Sequence, residues 1–146
     1  MTTSTEPYAT WLAQWIARHG AAAGSVHVMT AQGLRLAAAQ HLPPPVVEAV
    51  HLVPKGKGMA GLAWERNQPV QTCNLKTDET GDVRPGAKAV EAQAAVAIPV
   101  PDATGAVRAV VGIAFMEERR FSAEELEQLA QEAAELPDDP SITQPW

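Results

Sequence analysis

The residues best able to do chemistry in this sequence lie near its middle. Gly56-Lys57-Gly58-Met59-Ala60-Gly61 matches the pattern G-x-G-x-x-G. In dinucleotide-binding folds such glycines let the backbone approach a pyrophosphate. That use needs a strand before the pattern, a long helix after it and a crossover to a parallel strand. Here Pro69 cuts the following helix short and no parallel crossover follows. Lys57-Gly58 also lacks the spacing and hydroxyl of a phosphate-binding P-loop. The pattern predicts a tight turn that lets a short helix pack closely.

Cys73 is the only cysteine. As a nucleophile it would need a base or a helix N-terminus to form a thiolate. His27, His41 and His51 are possible bases, but no local signature ties any of them to it. A small buried residue at a strand end is the expectation, since free cysteine is among the most buried residue types. A single thiol excludes an intramolecular disulfide and a four-cysteine zinc site. The four histidines show no metal-ligand spacing. His27 falls in a strand, where a satisfied or solvated ring is expected.

The segment from Thr72 to Glu91 is irregular, with Gly81, Pro85 and Gly86 inside it. Loops of this length inside a compact domain are usually functional. It offers Asn74, Lys76, Thr77, Asp78, Arg84 and Lys88 as polar groups that could converge on a ligand. Arg84 is the best single anchor, because its planar guanidinium suits a carboxylate or phosphate. Just beyond, Val96, Ile98 and Val100 alternate with Ala95, Ala97 and Pro99. Small side chains on one sheet face leave room above it, and 72–91 is the segment expected to roof that room. The candidate binding set is Trp64, Cys73, Asn74, Lys76, Thr77, Asp78, Arg84, Lys88 and Ala97. The competing reading is a solvated surface loop.

Periodicity supplies the elements that must position these groups. Tyr8, Trp11, Leu12, Trp15 and Ile16 recur at helical spacing, with Thr5 to cap, Pro7 in the first turn and Gly20 as a stop. Val26 and Val28 alternate with His27 and Met29. After a turn at Ala31-Gln32-Gly33, Leu34, Leu36 and Ala38 form the inward face of a second strand. Residues 46–50 follow a proline run as a short helix, 59–67 read as another, and 70–73 as a short strand. A second hairpin pairs 94–100 with 107–116 across Asp102-Ala103-Thr104-Gly105. Val107, Ala109, Val111, Ile113 and Phe115 share one face. Ser122 and Glu125 form a capping box for a final helix, with Phe121 as a staple against Leu126. Leu126, Leu129, Ala130 and Ala133 make its apolar stripe, and Pro137 stops it. The order predicts an α+β domain of three layers. A mainly antiparallel central sheet carries the terminal helices on one face and the short helices and loop over the other. Residues 1–5 are expected as a flexible N-terminus, 6–136 as the domain and 137–146 as a tail.

The chain has 146 residues, 46% hydrophobic and 19% charged, which fits one globular domain. A net charge of -6 repels phosphate backbones, so no nucleic-acid partner is expected. No apolar run is long enough to span a membrane and no signal peptide is visible, so a cytoplasmic location is expected.

The order of elements, with several local motifs, resembles the GAF domain family. The likeness runs from about Tyr8 to Leu136. It rests on Val53-Pro54-Lys55-Gly56-Lys57-Gly58 with Ala60-Gly61-Leu62-Ala63, on Gln68-Pro69-Val70, on Ala97-Ile98-Pro99-Val100, and on Val110-Val111-Gly112-Ile113. The closing helix contributes Phe121-Ser122-Ala123-Glu124-Glu125 with Leu129-Ala130. The resemblance implies a small molecule held between the sheet and the middle segment, or a dimerisation and signalling role. One branch of that family reduces free methionine sulfoxide with several cysteines. Met59 and Ala60 occupy one of the cysteine-bearing regions here, and 81–92 holds no cysteine. Bilin-binding relatives attach the chromophore to a cysteine often followed by histidine, whereas Asn74 follows Cys73. The Asn-Lys-Phe-Asp-Glu signature of cyclic-nucleotide binders is absent. The resemblance therefore implies a ligand-binding sensory module without catalysis that signals to a partner in trans. A diverged sulfoxide reductase and a ligand-free dimerisation module are the alternatives. Neither cofactor nor ligand is named by these residues. Trp11 and Trp15, at i and i+4, either pack on the sheet or pair with a second copy, and a homodimer through the terminal helices is expected.

Overall fold

The computed structural model describes residues 6–42, 44–72, 94–117 and 120–137. Its elements are α1 (Glu6–His19), β1 (Ala23–Thr30), β2 (Gly33–Gln40), α2 (Pro44–Val50) and β3 (Leu52–Val53). They continue with α3 (Gly58–Arg66), β4 (Val70–Thr72), β5 (Ala94–Pro101), β6 (Val107–Phe115) and α4 (Ala123–Ala133). The strands form one six-stranded sheet in the order β3-β2-β1-β6-β5-β4. Every neighbouring pair is antiparallel. This is the α+β, three-layer arrangement that the residue pattern predicts.

Large side chains point to one face of the sheet. Val26, Val28, Val96, Ile98, Val100, Val111 and Ile113 meet Tyr8, Leu12, Trp15 and Ile16 of α1 and Leu129 and Ala133 of α4. Burying each such aliphatic or aromatic side chain contributes roughly 1.5–3 kcal/mol, so this layer is the main core. The opposite face is lined by smaller residues and covered by α2 and α3. A sheet covered on both faces explains why β5 is buried almost along its length.

Local signals act where the sequence places them. Gly20, at φ 65°, closes α1, with Ala21 N–H donating to the Ile16 carbonyl and Gly20 N–H to that of Ala17. Ser122 Oγ accepts from Glu125 N–H while the Glu125 carboxylate accepts from Ser122 N–H, which completes the capping box. Phe121 is buried beside the partly buried Leu126. The Gln71 side chain exchanges two hydrogen bonds with the Phe121 backbone and so ties the entrance of α4 to edge strand β4.

Two expectations about strand faces are corrected by bulges. The β1–β2 register shifts between Val26 and His27, pairing Val26 with Ala38 and His27 with Leu36. Leu34 then packs toward α3 and Ala38 toward α1, so they do not share a face. A second shift at Val100/Pro101 pairs Val107 with Pro101 and Ala109 with Val100. Val107 joins the α3-side cluster, not the face of Val111 and Ile113. One extra residue in a strand reverses the alternation beyond it. Strand β3 is a further element that periodicity missed; two residues are too short to show a pattern.

Among the six residues expected to offer surplus apolar surface, Tyr8, Leu12, Trp15 and Leu129 are buried within this chain. Trp11 and Leu126 are only partly buried, and the Trp11 ring stacks on Trp15 at a centroid distance of 4.9 Å. Beneath that pair lies the best-connected polar group of the core, Glu132, which is 8% exposed. Its carboxylate accepts from Trp15 Nε1 at 2.8 Å, from His19 Nε2 and from Gln128 Nε2 at 2.9 Å. Burial pushes the Glu132 carboxyl upward. Hydrogen bonds from Gln128, His19 and Trp15 together outweigh that and hold it below the ordinary glutamate value. The carboxylate therefore clamps α1 to α4.

Candidate functional site

A cavity of about 140 Å³ lies between the sheet and the pair α2 and α3. Its floor comes from the three central strands: Ser25 of β1, Gly112 and Ala114 of β6, and Ala95 and Ala97 of β5. The floor exists because these residues are small. A Cβ on Gly112 would stand 3.4 Å from Ser25 Oγ, on the cavity side, so the missing side chain itself makes room. Val46 and Val50 of α2, Leu42 before it, and Met59 and Ala60 of α3 form apolar walls. Ligand sites are commonly concave, mostly apolar and furnished with a few polar groups.

Three polar features reach this space. His27 is 3% exposed and lines the cavity. Its Nε2 lies 2.7 Å from the Val50 carbonyl oxygen, which can only accept, so Nε2 carries the proton and Nδ1 is left as an acceptor. Burial lowers the His27 pKa below its ordinary 6.5, opposed only in part by the Val50 hydrogen bond. Ser25 adds a hydroxyl, and Lys57 stands where α3 begins.

The glycine pattern builds that beginning. Gly56 and Gly58 hold φ angles of 81° and 66°, a left-handed backbone that other residues adopt at a cost. Gly56 N–H donates to the Gly61 carbonyl, and Gly61 N–H to that of Lys57. A Cβ on Gly61 would lie 2.5 Å from the Pro54 carbonyl oxygen. The pattern is a tight turn with a closely packed helix, not part of a parallel crossover unit.

The expected site residues fall into three groups. Ala97 lies in the cavity floor. Trp64 does not line the cavity; it is half-buried on α3, with Lys55 Nζ 5.8 Å from its ring centroid. Cys73, Asn74, Lys76, Thr77, Asp78, Arg84 and Lys88 lie outside the described residues, as does most of the expected roof from 72 to 91. Among the described residues the covering elements are α2 and α3. His27, Ser25, Gly112 and Lys57 were not singled out as site residues. Of these, His27 carried a usable signal, a lone imidazole in a strand that alternates with valines.

Burial of neutral His27 gives a pH prediction. The unfolded chain protonates this ring at higher pH than the folded chain does. Its contribution is complete above about pH 6.5 and is lost as pH falls through the depressed folded value. Stability should fall by up to about 1.4 kcal/mol per pH unit from this group in that window. Urea titrations at pH 7.5 and pH 5 should show a larger loss for wild type than for His27→Gln. Equal losses would contradict this account of the ring.

These features define a cavity-bearing α+β domain of the kind that encloses a small molecule over a sheet. The sequence model of the GAF domain matches residues 10–136, and the chain belongs to the GAF domain family. No curated protein sequence matches it. Among solved structures it is similar to the GAF domain of a phosphoenolpyruvate-protein phosphotransferase from Coxiella burnetii. That likeness has 19% identity and a TM-score of 0.71, and covers 90% of this chain and 79% of that one. It is similar to the type II free methionine-R-sulfoxide reductase from Thermoplasma acidophilum, at 18% identity, TM-score 0.71, over 97% of this chain and 99% of that one. It is also similar to the free methionine-R-sulfoxide reductase from Neisseria meningitidis, solved with its substrate, at 17% identity, TM-score 0.72, over 90% and 75% of the two chains. At these identities the likeness is one of fold. Among the described residues no helix is long and apolar enough to cross a membrane.

Proposed function

We propose that this chain is a non-catalytic sensory module that binds a small molecule in the cavity above Ala97 and Gly112 and signals to a partner in trans. The observation that carries this reading is the size asymmetry of the sheet. Valines and isoleucines fill one face, while glycine, serine and alanines leave an enclosed space on the other. A thermal-shift screen of metabolites on wild type and Ala97→Leu tests it, because a ligand raises the melting temperature by mass action. Hits should vanish in Ala97→Leu. Hits that shift the variant as much as wild type would place binding elsewhere. Parallel Arg84→Ala and Asp78→Ala variants test the proposal that the 72–91 segment contributes polar contacts.

A second reading, a diverged free methionine-R-sulfoxide reductase, takes its support from the likeness in fold to two such enzymes. Cys73 is the chain's only thiol, and a cycle that closes through a disulfide needs two. No thioredoxin-coupled NADPH oxidation with free methionine sulfoxide is expected. Turnover that disappears in Cys73→Ser would favour the reductase.

Homodimerisation through the terminal helices is part of the proposal and now rests on Trp11, Leu126 and Met116, the last 56% exposed at the end of β6. Light scattering at micromolar concentration should give about twice 15.5 kDa. A monomeric mass unchanged by Trp11→Glu would remove the dimer from the account.

A further inference from the structure

The start of α3 is built without a cap. Lys57 occupies the N-cap position in extended backbone, at φ −111° and ψ 126°, and its side chain makes no capping hydrogen bond. The first helical hydrogen bond runs from Gly61 N–H to the Lys57 carbonyl. The N–H groups of Gly58, Met59 and Ala60 therefore have no intrahelical acceptor, as in the first turn of any α-helix. Lys57 and these same three residues line the cavity. Such amides, at the positive end of the helix dipole and beside an ammonium group, favour an anion. A second, independent feature also calls for a ligand. His27 is almost fully buried against the same space, with Nε2 committed to Val50 and Nδ1 unpartnered among the described residues. A buried acceptor without a partner is costly, and a ligand donor would satisfy it.

We propose that the ligand is a small carboxylic acid with a compact apolar body and a neighbouring N–H or O–H donor. The carboxylate lies at the α3 N-terminus, the body rests on Ala97 and Gly112, and the donor faces His27 Nδ1. The proposal rests on the binding reading above and specifies its chemistry. Size limits the body: an apolar cavity of about 150 Å³ accommodates a molecule the size of benzene, and this one is about 140 Å³. Branched aliphatic or single-ring 2-amino and 2-hydroxy acids meet all three requirements. Nucleotides and tetrapyrroles exceed the space.

The test uses three probes of nearly one shape: isocaproate, α-hydroxyisocaproate and the neutral isocaproamide. Binding is read by thermal shift and by amide NMR shifts at 57–60. Isocaproate should bind at least about tenfold more tightly than isocaproamide, and the hydroxy acid more tightly still. Lys57→Asp places a carboxylate at the N-cap, where it accepts from the free amides. It should raise the melting temperature of the unliganded protein by about 3 °C and abolish the preference for the acids. An ordinary capping role alone would change stability without touching ligand preference. Isocaproamide binding as tightly as isocaproate, with both lost in Gly112→Val, would overturn the carboxylate assignment and leave the cavity reading intact. Acid binding unaffected by Lys57→Asp would also overturn the assignment. Failure of all three probes to bind wild type would overturn the assignment and count against the cavity reading itself.

Discussion

Gly112→Val should make the unliganded protein more stable by about 1–2 kcal/mol and weaken ligand binding by about 100-fold. Both effects come from the same three carbon atoms. Gly112 sits in central strand β6, opposite Ser25 of β1 and Ala97 of β5. Its φ is not in the left-handed region, and a Cβ there meets only Ser25 Oγ at 3.4 Å and the Val96 carbonyl oxygen at 3.6 Å, ordinary contacts. Valine suits a strand, removes the backbone freedom of glycine and adds apolar contacts in a space now lined on one side only. Each buried methylene is worth about 0.8 kcal/mol, which sets the scale of the gain. The same atoms occupy the floor on which a ligand would rest, and 100-fold in affinity corresponds to about 2.7 kcal/mol. Denaturant titration and a thermal-shift assay measure the two effects on one sample. A variant that is destabilised, or that keeps wild-type affinity, would show that the space above Gly112 is not the binding cavity. The opposed signs matter, since a general loss of folding would lower both.

The largest loss of stability is expected from Glu132→Leu, about 3 kcal/mol, or roughly 9 °C in melting temperature for a domain of this size. The leucine fits an apolar environment, so the loss comes from what it leaves behind. Trp15 Nε1, in a side chain only 2% exposed, loses its acceptor, as do His19 and Gln128. Glu132→Gln keeps one acceptor oxygen and the shape, and should cost about 1 kcal/mol. The carboxylate's depressed pKa adds a signature: its contribution is present above the unfolded glutamate value and disappears as pH falls through the lower folded value. Wild type and Glu132→Leu should therefore converge in stability toward acid pH. Differential scanning calorimetry across pH would show this, and a gap independent of pH would argue that packing alone explains the loss.

The parts of this fold that were legible in the residues are those determined within one turn or one hairpin. Gly20, the Ser122/Glu125 box, the proline at the head of α2 and the tight turn at 102–105 each act on their immediate neighbours, and each element appears where they predict it. The large face of β5 and the small one were likewise readable from Val96, Ile98 and Val100 against Ala95 and Ala97. What was not legible depends on pairing between distant segments. The bulges opposite Val26 and Val100 exist only once β1 meets β2 and β5 meets β6, so Ala38 and Val107 were assigned to the wrong faces. The covering of Ala97 by α2 and α3 is a tertiary choice that no periodicity encodes. His27 and Glu132 were missed as organising residues because each is a single polar side chain within an apolar pattern. The i, i+4 spacing of Trp15 and His19 on one helix, and the place of Glu132 beside Leu129 and Ala133 on another, were the available signals. Their convergence on one carboxylate joins residues more than a hundred positions apart.

The central claim is that the space between the sheet and α2/α3 holds a small molecule. Intermolecular nuclear Overhauser effects test it most directly, using methyl-labelled protein and the strongest-binding compound of the metabolite screen. The account predicts contacts from that compound to the methyls of Ala97, Val46, Val50 and Met59, and their loss in Gly112→Val. Contacts to methyls of α1 or α4 in place of these, or a screen in which no compound binds wild type, would contradict it.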